Sequence, residues 1–286
     1  MNRKTFLKLA LPGLAATVGI PRAALSGEVL RIGLTPVILA DQAAFLAHWS
    51  EYLSKRLESP VVFVARDSYQ GVLDLLFRGQ LEAAWICGYP YIRHHRQLQL
   101  LAVPLYQGRP LYQSYLIRPR QRTPEVHSWA DVKGKVLAYS DPLSNSGWLV
   151  AQAQLQAVGL TANDLQKSFF SHGHRNVAEA VAARLAHAGS IDGYVWETMR
   201  QLRMAAVGQT EVVWKSELFG FPPLVARLPA KHPKIQALQT TLLDMHAQRD
   251  GQNVLTALNL TGFGVGSLSM FDSIARMAAR TEARNT

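Results

Sequence analysis

Ser140-Asp141-Pro142-Leu143-Ser144-Asn145-Ser146-Gly147-Trp148 is the stretch on which the reading of this chain turns. It follows a strand-like run at 135–139. It precedes Trp148, Ala151, Leu155 and Val158, apolar residues at three- and four-residue spacing that Gly159 terminates. A strand thus delivers a turn, and small hydrogen-bonding residues open a helix. The first N–H groups of a helix have no internal partners, and the macrodipole places partial positive charge beside them. The hydroxyls of Ser144 and Ser146 and the amide of Asn145 add donors without bulk, so the segment predicts an anion cradle. The bland alternative is a capped helix start facing water. Three such residues together before a glycine, at the C-terminal end of a strand, keep both readings open.

The surrounding pattern is α/β. On the N-terminal side, 29–34 reads as a strand. Residues 43–57 carry Phe45, Trp49, Tyr52 and Leu53 at helical spacing, and 60–65 is a second strand. Residues 68–78 form a short helix with Val72, Leu75 and Leu76, and 81–87 is a fully apolar strand. Such alternation predicts a parallel sheet covered by helices. After the quoted stretch the same logic recurs, with a helix at 177–186 after 169–171 and then a strand at 190–196, but without a sequence repeat.

Residues 111–117 are extended and lead into a loop at 118–124. A second extended segment, 222–227, returns near the end, and helices over about 233–259 complete the first lobe. Two strands crossing between two units predict a hinge. The expected architecture is therefore two lobes, each a mostly parallel sheet flanked by helices, joined by a two-strand hinge. Residues 27–116 and 222–286 form lobe 1, and 117–221 form lobe 2.

With 48% hydrophobic and 17% charged residues, the 286-residue chain can bury real cores, which excludes a disordered protein. Arg3, Lys4 and Lys8 precede a short apolar run at 9–20 and small residues at Ala23, Ala24 and Ser26. That order predicts a signal peptide over 1–26, cleaved near Ser26–Gly27, and hence a periplasmic protein. The run is too short to span a bilayer, so the chain is not itself expected to be membrane-spanning. Asn2–Lys8 also resembles a twin-arginine signal with Lys4 in the second arginine position. Removal of 1–26 lowers the formal charge from +10 to +6. Arg93, His94, His95 and Arg96 form the one local basic cluster, and aromatics do not alternate with Lys/Arg, so no nucleic acid is expected. A mild positive balance suits a small anionic ligand.

With these features in order, the chain resembles the phosphate, phosphite and phosphonate binding proteins that serve ATP-driven importers, which have the type 2 periplasmic binding protein fold. Asp141 to Gly147 matches the family's Asp-Pro-x-Ser-x-Ser-Gly, with Asn145 where Thr is usual. Ser68-Tyr69 stands before the short helix, where the family has its ligand-side tyrosine. Cys87-Gly88-Tyr89-Pro90-Tyr91 stands where it has Gly-Pro-x-x-Tyr. Trp129 to Lys135 resembles the family's opening of the second lobe, and Phe170-Ser171-His172-Gly173-His174 its Phe-Ser-x-x-His segment.

The resemblance implies that Ser144, Asn145, Ser146 and Gly147 hold the oxyanion from the helix start, that His174 donates from the same lobe, and that Tyr69 and Tyr91 close over it from the other. Where relatives bind amino-phosphonates, carboxylates meet the amine. Glu197 is the nearest candidate here, beside Trp196, at the end of the expected strand. Core packing is the competing reading for Trp196 and solvation for Glu197, and phosphate, phosphite and phosphonate all stay open. Cys87, the single cysteine, reads as a packing residue or as a cleft thiol suited to arsenite. The partner implied is an ABC permease or, alternatively, a membrane sensor kinase. Neither a cofactor nor a metal is expected, since His172 and His174 lack a third ligand of suitable spacing. No catalytic residues are assigned, because Gly-x-Ser-x-Gly, phosphate-loop and dinucleotide patterns are absent. An exported hydrolase built from scattered Ser, His and Asp is the last alternative.

Overall fold

The computed structural model describes residues 27–36, 43–121 and 125–283. The expected signal peptide (1–26) and residues 122–124 of the expected loop lie outside the described residues.

The strands, in chain order, are β1 (Leu30–Leu34), β2 (Val61–Ala65), β3 (Ala83–Trp85), β4 (Leu98–Leu105), β5 (Leu111–Tyr112), β6 (Ser114–Pro119) and β7 (Val136–Tyr139). They continue as β8 (Lys167–Phe170), β9 (Ala188–Asp192), β10 (Thr210–Lys215), β11 (Phe219–Gly220), β12 (Leu224–Arg227) and β13 (Gly262–Gly264). One six-stranded sheet runs β13-β4-β12-β3-β1-β2, and a five-stranded sheet runs β10-β6-β9-β7-β8. Between them, β5 and β11 pair antiparallel as a two-stranded ribbon.

Each sheet is mixed. The βαβ segments give parallel pairs, β1 with β2 and β3 in one lobe and β7 with β8 and β9 in the other. β12 runs antiparallel to both β3 and β4, β13 antiparallel to β4, and β6 antiparallel to both β9 and β10, so β4 and β10 keep the direction of the parallel strands. The reversed strands are β12 and β13, which follow the chain's return to the first sheet, and β6, which enters the second, and they dilute the parallel pairing.

The helix Ala43–Leu57 shows how the layers lock. Trp49, Leu53 and Leu57 recur at four-residue spacing and are buried. The Trp49 ring lies 4.5 Å from that of Phe63 on β2 and meets Trp85 of β3 edge-on at 6.0 Å, which seats the helix on the sheet.

Two boundaries differ from the sequence expectation in ways that matter for the site. The apolar run at 81–87 is strand only through Trp85. Ile86 donates its N–H to the Pro223 carbonyl, and Cys87 stands at the N-cap of the helix Gly88–His94. The expected strand at 190–196 ends at Asp192, whose carboxylate accepts the N–H groups of Tyr194 (2.8 Å) and Val195 (3.3 Å) and starts the helix Gly193–Gln201. Trp196 and Glu197 therefore stand on a helix, because the capping carboxylate overrides the β preference of Tyr-Val-Trp.

The helix Asp272–Ala283, which the sequence reading did not isolate, touches both lobes. Tyr89 donates its hydroxyl to Glu282 from the first lobe, and the Gln156 amide donates to the Thr281 carbonyl from the second. Among the described residues no helix is long and apolar enough to cross a membrane.

Candidate functional site

β7 delivers the chain into Ser140 and Asp141, both buried. Ser144 then caps the following helix, its Oγ accepting the Gly147 N–H at 3.0 Å. That helix opens with a π turn at Asn145–Leu149, in which the Leu149 N–H reaches back to the Ser144 carbonyl, before continuing as the α-helix Val150–Ala157. Such π turns widen the first turn and cluster at functional sites. The Ser146 carbonyl accepts hydroxyls from Ser114 and Ser190 at 2.7 Å each, and this pins the turn to β6 and β9. Gly147 is required by close approach: a Cβ there would lie 1.8 Å from Ser140 Oγ and 3.1 Å from His174 Cε1.

His174 begins the helix His174–Ala182 and is 1% exposed. Its Nδ1 accepts the Asp192 backbone N–H at 3.0 Å, which leaves the neutral ring's proton on Nε2. Nε2 sits 3.1 Å from the Tyr69 hydroxyl and 3.5 Å from Ser144 Oγ. Burial lowers the imidazole to about 3, so the ring is a neutral, fixed donor. From the other lobe come Tyr69, at the start of the helix Tyr69–Phe77, and Cys87, whose Sγ accepts the Asn145 N–H at 3.2 Å. From the connecting ribbon comes Tyr112, whose hydroxyl accepts from Asn145 Nδ2 at 2.9 Å. Burial raises both tyrosine hydroxyls well above their ordinary value and the Cys87 thiol to about 11, so all three stay protonated.

Three polar side-chain atoms in this turn, Ser140 Oγ, Asn145 Oδ1 and Ser146 Oγ, are buried without a hydrogen-bond partner. Leaving a buried polar group unpaired costs about 1–3 kcal/mol, so three within seven residues mark a place built to receive something polar. Asp192, buried beside His174, is raised to about 7 by desolvation, against which the N–H groups of Val195 and Tyr194 pull down.

Seven of the ten sequence-predicted site residues converge here: Tyr69, Cys87, Ser144, Asn145, Ser146, Gly147 and His174. Three do not. Tyr91 is buried edge-on against Phe271 at 4.8 Å. Trp196 donates its indole N–H to Thr210 within the second lobe. Glu197 pairs with Arg200 at 2.7 Å and takes the Tyr115 hydroxyl, in a separate cavity. His172 is exposed and does not join His174, and among the described residues no cluster of metal-ligating side chains occurs. Sequence reasoning missed Tyr112, Asp141 and Asp192. Asp141 lay inside the quoted motif. Tyr112 had only its place in the crossing strand to signal it.

Two mixed α/β lobes, linked by crossing strands and meeting at a buried, donor-rich turn, have the architecture of a two-lobed solute-binding protein. The chain belongs to the family described as "ABC transporter, phosphonate, periplasmic substrate-binding protein", whose model matches residues 32–271. It is 29% identical over 179 residues to the phosphate-import protein PhnD of Mycolicibacterium smegmatis, a match that covers 58% of this chain and 56% of that relative. In fold it is similar to a binding protein component of an ABC phosphonate transporter from Pseudomonas aeruginosa (TM-score 0.82, 19% identity, 91% of this chain and 89% of that one). It is also similar to PhnD1 of Prochlorococcus marinus in complex with methylphosphonate (TM-score 0.79, 17% identity, 89% and 98%).

Proposed function

We propose that this protein is exported, captures a small tetrahedral oxyanion (phosphate, phosphite or a short phosphonate) between its lobes for delivery to an ABC permease, and catalyses nothing. The observation that carries the reading is the pair of unpaired buried hydroxyls, Ser140 Oγ and Ser146 Oγ, at a helix start beside the fixed donor His174 Nε2, with the unpaired acceptor Asn145 Oδ1 able to take only a protonated P–OH. Lobe 2, 117–221, holds the cradle, and lobe 1, 27–116 with 222–286, supplies the cover.

The ligand binds first to Ser144, Ser146 and the leading N–H groups of the π turn, where charge-assisted hydrogen bonds are strongest. Its oxygens displace Cys87 Sγ, a weak acceptor, from the Asn145 N–H. Tyr69 donates from the opposite lobe, so the anion holds both lobes and favours the closed form by its differential affinity. The mycobacterial relative's description as a phosphate-import protein and the methylphosphonate held by the cyanobacterial one agree with a small tetrahedral oxyanion.

Calorimetry with phosphate, phosphite, methylphosphonate, aminoethylphosphonate and sulfate tests the proposal. At least one of the first three binds, and Ser144→Ala with Ser146→Ala weakens it about a hundredfold, since each charge-assisted bond contributes about 1.5–3 kcal/mol. Undiminished affinity in the double variant rules the cradle out.

A further inference from the structure

A cavity of about 560 Å³ is lined in part by Tyr112 and by none of Ser144, Asn145, Ser146 and His174. Its walls come from both lobes. Tyr106 and Arg109 belong to the tight turn after β4, closed by mutual backbone hydrogen bonds between those two residues. Tyr115 on β6, Glu197 and Arg200 on the helix Gly193–Gln201, and Lys215 on β10 face them from the side of the five-stranded sheet. The volume falls within the range of about 300–1,000 Å³ usual for small-molecule sites and far exceeds what a bare oxyanion fills.

Three cations against one carboxylate line it. Glu197 is already taken by Arg200 and the Tyr115 hydroxyl. Lys215 Nζ rests 4.7 Å from the Tyr115 ring centroid, and Arg109 has no carboxylate partner among the described residues. Lys215 over the Tyr115 ring, with Arg109 on the same lining, suits a flat body that carries several negative charges: the tyrosines supply contact area, and the guanidinium and ammonium groups supply charge-assisted hydrogen bonds.

We propose that this cavity is a second ligand site, for a multiply charged organic anion with a flat or ring-shaped body, separate from the oxyanion cradle. The proposal goes beyond the assigned function and does not depend on which oxyanion fills the cradle. Because its walls belong to different lobes, an occupant binds the closed and open arrangements unequally, and by linkage it shifts oxyanion affinity as well.

Benzene-1,3,5-tricarboxylate, a planar trianion, is the probe, titrated calorimetrically into the full chain. Expected are one equivalent bound with sub-millimolar affinity, the same binding in Ser144→Ala/Ser146→Ala, and a loss of about tenfold or more in Arg109→Ala/Lys215→Ala. Should that second pair fail to fold, Arg109→Gln alone is the test, with a loss of about fivefold or more expected and none overturning the site. No binding to the unaltered chain overturns the proposal. Binding that vanishes with the two serines but survives the loss of Arg109 and Lys215 does the same, since the probe is then in the cradle.

Discussion

The carboxylate of Asp141, at the end of β7, accepts the backbone N–H of Tyr69 at 3.1 Å across the interlobe gap. Its other oxygen accepts the Leu143 N–H at 2.8 Å inside the turn that forms the cradle, and the residue is buried. Tyr69 begins the helix Tyr69–Phe77, so the N–H it offers is one of the donors a helix leaves unpaired, at the positive end of the dipole. A single carboxylate thus ties the backbone of the cradle to the lobe that closes over it.

Asp141→Asn keeps the shape but turns one acceptor into a donor facing an N–H. The unliganded variant is expected to be more open, with a larger radius of gyration by small-angle scattering, and to bind its oxyanion about tenfold more weakly, since a hydrogen bond to a charged group contributes about 1.5–3 kcal/mol. If scattering and affinity both match the unaltered chain, Asp141 is not a latch.

His174 and Asp192 give stability opposite pH slopes. His174 lies at about 3 when folded, against about 6.5 unfolded, so its contribution is present above about 6.5 and is lost as pH falls toward 3. Asp192 lies at about 7 when folded, against about 3.9 unfolded, so its contribution is full below about 3.9 and is lost as pH rises through 7. Between those limits the two offset each other. His174→Gln should therefore lose stability as pH rises from about 4.5 to 7, and Asp192→Asn, which still caps its helix, should lose it as pH falls over the same span. Urea midpoints across this range check it, and parallel profiles for all three proteins would refute it.

Cys87 reports opening. It is the one cysteine of the chain, buried and protonated, with Sγ against the Asn145 N–H. Alkylation at pH 7.5 should be far slower than in the urea-unfolded chain, slower again with the oxyanion bound, and faster in Asp141→Asn. Labelling of the native protein at the unfolded rate contradicts the buried placement.

Gly147→Ala puts a Cβ into Ser140 Oγ and Cβ. Overpacking of this kind costs about 1–3 kcal/mol, and here it also displaces the turn that offers Ser146. Melting temperature and oxyanion affinity should both fall, and adding Ser140→Gly should recover part of each. An unperturbed single variant would mean that the turn relaxes freely.

Much of this was legible in the sequence because it is local. The helix Ala43–Leu57 follows from the spacing of Trp49, Leu53 and Leu57, and the cradle follows from Ser144, Asn145 and Ser146 coming off a strand: backbone geometry alone brings adjacent residues together. Residue order also fixed which segments alternate as strand and helix in each half. Tertiary structure decided the rest. Whether Tyr91 or Tyr112 meets Asn145, and whether Glu197 faces the cradle or another cavity, depends on how one lobe is rotated against the other and on where the Asp192 cap ends β9. Those are contacts between residues tens of positions apart, and no periodicity in the chain encodes them. The tautomer of His174 is likewise set by the Asp192 backbone N–H, eighteen residues along the chain but a single hydrogen bond away in space.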